Sequence, residues 1–109
     1  MTQAKGDCFK ANGNFLLENR IEDAELIHAE VSGQGKLEGL RFAHAWIEIN
    51  GMALDLSNNE CRVIPAYKYR ELAKVKKGPD TLVEYKLSDL LEKLVSHQHW
   101  GPWDLSCSI

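Results

Sequence analysis

The stretch Phe42-Ala43-His44-Ala45-Trp46-Ile47-Glu48-Ile49-Asn50-Gly51-Met52-Ala53-Leu54-Asp55-Leu56-Ser57 decides how this chain folds. Asn50-Gly51 is a strong hairpin signal, because both residues tolerate the positive φ of a type I′ turn. Folding about that turn pairs Ile49 with Met52, Glu48 with Ala53 and Ile47 with Leu54. Counting on, Trp46 faces Asp55 and His44 faces Ser57. Side chains in a strand alternate between faces. One face then carries Ala43, Ala45, Ile47, Ile49, Met52, Leu54 and Leu56, which is apolar and reads as core. The other carries Phe42, His44, Trp46, Glu48, Ala53, Asp55 and Ser57. There His44 and Asp55 are diagonal neighbours, roughly 7–8 Å apart at the backbone and within side-chain reach. A carboxylate beside an imidazole fixes its tautomer and favours its cation.

The thiol that such a pair can activate lies upstream. Gly6-Asp7 reads as a turn and helix start, with Asp7 as N-cap and a helix from about Cys8 to Asn19. Cys8, Ala11, Phe15 and Leu16 form its apolar stripe, while Gly13 and Asn14 weaken it. Cys8 falls in the first turn, where the helix dipole stabilises a thiolate. The alternative role for Cys8 is that of a small buried hydrophobe. In the triad reading the thiolate attacks a carbonyl carbon and His44 moves the proton. Asp55 orients the ring and stabilises its cation.

Leu26-Ile27-His28-Ala29-Glu30-Val31 reads as a strand in which His28 has a local partner, and the glycine-rich loop after it leads into the hairpin. Beyond the hairpin, Cys61 reads as structural and Arg62-Val63-Ile64-Pro65 as extended. A peripheral helix is expected over Ala66 to Val75, with Pro65 at its start. Thr81 to Lys86 alternates like a strand. Ser88 then caps a final helix whose stripe is Leu87, Leu90, Leu91, Leu94 and Val95. In the tail, Trp100 and Trp103 fold back over the domain or wall a substrate groove. His97 and His99 have no Cys or carboxylate at zinc-ligand spacing, so no metal or other cofactor is expected.

The 109 residues make one domain, 1–109, with room for a single core. A net charge of −3 and no Lys/Arg run argue against nucleic-acid binding. No apolar run is long enough to cross a membrane. Three cysteines at unequal spacing do not form a disulfide framework. With a polar N-terminus that lacks a signal-peptide core, this points to a cytoplasmic setting in which a free thiol can react.

Gly6-Asp7-Cys8-Phe9-Lys10-Ala11, then His44-Ala45-Trp46-Ile47-Glu48, then Asp55, resembles the catalytic core of the transglutaminase-like and papain-like cysteine enzymes over about residues 6–57. That group carries a Gly-x-Cys helix start, a His-Ala-Trp-x-Glu strand and an Asp ending the next strand. The resemblance implies a helix packed on an antiparallel sheet or small barrel; with the two later helices read from the pattern, the expected fold is α+β, an N-terminal helix on a small antiparallel sheet with peripheral C-terminal helices. It implies Cys8 as nucleophile, His44 as base and acid, and Asp55 as orienter. The chain departs from the group in its short Cys8–His44 spacing and in Asp55-Leu56, where Asp-Pro is common. The Cys8 N–H is the default oxyanion donor, with Gln3 as second candidate. Glu48 shares the face of His44 and competes with Asp55 as orienter, and Trp46 shields the site or packs under the N-terminal helix.

The expected function is thiol-dependent acyl transfer on a peptide, protein or small amide substrate, as hydrolase, deamidase or transglutaminase-type enzyme. A catalytically inactive binding module on the same fold is the alternative. A metal enzyme built on His44, His97 and His99 is a third reading.

Overall fold

Asn50 and Gly51 take φ of 52° and 78° in the computed structural model of the chain, so the hairpin turn forms as the sequence predicts. The structure describes residues 7–33, 35–57, 60–76 and 78–106. The elements are α1 (Asp7–Asn19), β1 (Glu25–Ser32), β2 (Arg41–Ile49), β3 (Met52–Ser57), β4 (Glu60–Pro65), α2 (Ala66–Leu72), β5 (Leu82–Tyr85) and α3 (Leu87–His97). A short 3₁₀ turn, Gly35–Leu37, lies between β1 and β2. The fold is α+β: an N-terminal helix, a five-stranded antiparallel sheet in the order β4-β3-β2-β1-β5, and two later helices. No described helix is long and apolar enough to cross a membrane.

Both faces of the sheet are covered. On one, α1 and α3 pack Leu16 and Leu90 against Leu26, Ile47 and Tyr85. Beside them Cys8 and Phe9 meet Ala43 and Ala45, with Trp100 and Leu105 of the tail laid against this cluster. This is the face expected to be core, and the tail folds back over it. On the other face α2 brings Tyr69 and Ala73 down onto Ile27, Ala29, Val31, Trp46 and Ala53. Trp46 and Ala53 are therefore fully buried, although an unpartnered hairpin would expose that face.

Several helix details differ from the sequence reading. Asp7 is the first helical residue of α1 rather than its cap. The buried stripe of α1 is Cys8, Phe9, Asn12, Gly13 and Leu16, with Ala11 and Phe15 at its margin. Gly13 is needed there: a Cβ would lie 2.9 Å from the Trp100 ring. Helix α2 stops at Leu72, short of Val75. Lys74 takes φ 51°, and Val75 N–H and Lys74 N–H bond to Arg70 and Glu71 carbonyls, a left-handed helix stop. In α3 the cap position is Lys86, whose N–H donates to Asp89 at 2.9 Å, so Ser88 lies inside the helix. Leu91 and Val95 of the expected stripe are exposed. Only Leu87, Leu90 and Leu94 turn to the core, because α3 lies at the sheet margin and buries a narrower strip.

Candidate active site

The three candidate residues come from three elements. Cys8 is in the first turn of α1, His44 is on β2 and Asp55 is on β3. The β2–β3 ladder runs through Ile49↔Met52, Glu48↔Ala53 and Ile47↔Leu54 and ends there. Trp46/Asp55 and His44/Ser57, expected as further pairs, are not ladder partners. The strands have parted, and the parting lets a helix on one face reach a histidine whose strand position belongs to the other.

His44 Nε2 lies 3.0 Å from Asp55 Oδ2, so the diagonal relation inferred by counting becomes a direct ion pair. Cys8, in the first turn of α1, interacts favourably with the charged ring. Burial disfavours the imidazolium. The hydrogen bond to Asp55, the charge of that carboxylate and the favourable interaction with Cys8 outweigh it, raising the His44 pKa to about 10. For Asp55 burial acts upward, but the bonds from His44 and Tyr69 hold the carboxyl below its ordinary range. Arg62, opposite Asp55 in the β3–β4 register, adds a favourable charge.

Tyr69 donates from its hydroxyl to Asp55 Oδ2 at 2.6 Å, and its own titration is pushed upward by burial and by that carboxylate. Asp55 Oδ1 is buried without a hydrogen-bond partner among the described residues. The carboxylate thus works through one oxygen, shared by His44 and Tyr69.

Glu48 does not compete for His44. Its Oε2 accepts from Trp46 Nε1 at 2.9 Å and from Arg70 Nε at 2.7 Å, and its Oε1 accepts from Arg70 Nη2 at 2.8 Å. A bidentate guanidinium occupies both oxygens. Trp46 is under α2 rather than under the N-terminal helix, 4.7 Å from the Tyr69 ring and 6.2 Å from His44, between centroids. It therefore walls the site on the sheet side. Gln3 lies outside the described residues, as does Cys107.

A cleft of about 260 Å³ opens beside this group. His44, Asp55, Tyr69 and Arg62 line one part of it, and Val31, Phe42, Ile64 and Leu72 another. Cys61 is exposed on β4. Among the described residues no group of three or more His, Cys, Asp or Glu could hold a metal ion.

His28 lies in β1, as expected, and its neighbours are aromatic rings. It is fully buried, and neither ring nitrogen has a hydrogen-bond partner among the described residues. Phe9, Tyr85 and Trp103 surround it at centroid distances of 4.8, 4.9 and 5.0 Å. Burial lowers its pKa to about 3, against a smaller upward pull from Asp104.

Two residues of the site escaped the sequence reading. Tyr69 belongs to an inward stripe with Ala66 and Ala73, at i, i+3 and i+7, which the charged neighbours of α2 hide. Asn12, four residues after Cys8, is fully buried. Its carboxamide bonds to the backbone of both parted strands. Comparison of the chain with protein-family models, curated proteins and solved structures finds no match.

Proposed function

We propose that this chain is a thiol-dependent acyl-transfer enzyme that works through Cys8, His44 and Asp55, in the manner of the transglutaminase-like and papain-like enzymes its motifs resemble. The observation that carries the reading is the 3.0 Å contact between His44 Nε2 and Asp55 Oδ2, with Cys8, in the first turn of α1, packed against Ala43 and Ala45 on either side of His44. A pKa of about 10 keeps that imidazole protonated at neutral pH, and a cationic neighbour is the setting in which a cysteine acts as a nucleophile.

The Cys8 thiolate attacks the substrate carbonyl carbon, and the oxyanion is met by backbone N–H groups at the start of α1. His44 gives its proton to the departing nitrogen, the C–N bond breaks, and a Cys8 thioester remains. Water or an amine, losing its proton to His44, attacks the thioester. The acyl product leaves, the Cys8 thiolate re-forms, and His44 is an imidazolium again. Asp55 holds the ring and stabilises its cation throughout. The cleft beside His44 offers apolar walls and one cation, Arg62, to a peptide or small amide. A reducing, cytoplasm-like compartment suits this chemistry.

The burial of Cys8, 7% exposed among Phe9, Ala43 and Ala45, favours the second reading, a binding module whose thiol is structural. The pH dependence of Cys8 alkylation by iodoacetamide separates the two, read by mass spectrometry against Cys61 and Cys107 in wild type and His44→Ala. The enzyme reading expects Cys8 to label fast well below pH 8 and to slow in the variant. Labelling no faster than Cys61 overturns it.

A further inference from the structure

We propose that Asn12 is a positioning residue: its carboxamide stands in for a peptide group between β2 and β3 and holds open the gap through which Cys8 meets His44. This rests on the acyl-transfer reading and adds a fourth residue to its machinery.

Extending the register from Ile47↔Leu54 by two residues places Ala45 opposite Leu56. Their backbone groups bond to Asn12 instead. Asn12 Oδ1 accepts from Leu56 N–H at 3.0 Å, and Nδ2 donates to Ala45 O at 3.1 Å and Leu56 O at 2.9 Å. The same nitrogen donates to Cys8 O at 2.8 Å, so three acceptors share its two protons. The amide orientation follows from this network, because the reverse would set Oδ1 against three carbonyl oxygens. A carboxamide has the donor and acceptor of a peptide unit, so it can end a strand ladder without leaving buried backbone groups unpaired.

The bonds lie beside the chemistry. Ala45 follows His44, Leu56 follows Asp55, and Cys8 is the nucleophile's own residue. One fully buried side chain thus ties all three elements of the triad together. The gap is also a geometric necessity. Cys8 packs on the face of Ala43 and Ala45, whereas His44 belongs by alternation to the opposite face. A continuous ladder would put backbone between sulfur and ring.

The test measures Cys8 alkylation against pH in wild type, Asn12→Ala and Asn12→Ser, with exposed Cys61 as internal control and folding followed by circular dichroism. The proposal expects folded variants in which Cys8 labels on the order of 10-fold or more slowly at neutral pH. The pH midpoint of Cys8 should move toward that of Cys61, and Cys61 itself should not change. A merely structural asparagine would lower the melting temperature and leave that midpoint in place, and a wild-type profile in a folded variant overturns the proposal. If wild-type Cys8 labels no faster than Cys61, the acyl-transfer reading fails first and takes this role with it. Should neither variant fold, amide exchange of wild-type Leu56 decides. Protection matching that of Ile47 supports the bond to Asn12, and exchange at the rate of an open strand end overturns it.

Discussion

Tyr69 and His44 bond to the same oxygen of Asp55, the hydroxyl at 2.6 Å and Nε2 at 3.0 Å. The phenol stabilises the carboxylate and fixes its rotamer, so it acts on the imidazole at second hand. Tyr69→Phe keeps the ring that packs on Trp46 and removes only the hydroxyl. The expected cost is roughly 1.5–3 kcal/mol of stability, as for a hydrogen bond to a charged group. Cys8 alkylation should slow a few-fold, by about 10-fold at most, since His44 keeps its partner. A thermal melt alongside the alkylation rate checks both, and an unchanged rate in a folded protein would show that Asp55 does not need the hydroxyl.

Asp55→Asn and Glu48→Gln should separate orientation from scaffolding. The first leaves His44 without its anion and frees the ring to take the wrong tautomer, a defect that costs a serine triad about 10⁴-fold. The second breaks the bidentate pair with Arg70, whose own pKa Glu48 raises through those hydrogen bonds. That should lower stability by roughly 1–3 kcal/mol and leave Cys8 reactivity near wild type. Alkylation rates of the two folded variants decide, and greater damage from Glu48→Gln would reverse the assignment.

How much of this the sequence reveals depends on the separation of the residues along the chain. The hairpin is local, since Asn50-Gly51 sets the turn and counting places His44 and Asp55. Asn12 reaches Ala45 and Leu56 across 33 and 44 residues, and no short pattern announces such a bond. In isolation Asn12 and Gly13 look like defects in a helix. In place, one bonds the strands and the other admits Trp100. The second sheet face was legible as the bearer of His44 and Asp55 but not as buried. Of the residues that cover it, Tyr69 sits between Lys68 and Arg70 on α2, and Ala73 at the helix end precedes Lys74. Leu91 and Val95 stay exposed on α3 because periodicity reports which residues can face inward and not how wide the opposing surface is.

Stability should fall with acid because of His28. Its folded pKa of about 3 is below the unfolded value of 6.5, so the unfolded chain binds the extra proton between those values. Stability is full above pH 6.5 and is lost as pH falls through that window. At about 1.4 kcal/mol per unit, the loss between pH 6.5 and 4 is roughly 3 kcal/mol. Asp55 adds its own loss only below its ordinary carboxyl range. His28→Phe should flatten the melting temperature over pH 4–6.5, and a slope that persists in the variant would assign the effect to other groups.

The alkaline side carries the opposite sign. The folded pKa of His44, about 10, is above its unfolded value of 6.5, so its contribution is complete below pH 6.5 and is lost as pH rises toward 10. The melting temperature should therefore decline between pH 7 and 10, and His44→Ala should remove most of that decline. An equal slope in the variant would mean that the ring carries no extra proton in the folded state.

Gly13→Ala sets two effects against each other. Alanine is the better helix former by about 1 kcal/mol, which alone would stabilise α1. Its Cβ, however, would lie 2.9 Å from Trp100 Cε3 and 3.2 Å from Cζ3, closer than carbon atoms pack. The ring has to move, and with it the tail that covers Cys8, Phe9, Ala43 and Ala45. The displaced indole loses dispersion contacts and apolar burial worth more than the gain in propensity. The variant should melt below wild type, its tryptophan emission should shift to the red, and Cys8 should become more accessible to alkylation in the unmutated His44 background. A higher melting temperature with unshifted emission would mean that the tail accommodates a methyl group without leaving its seat.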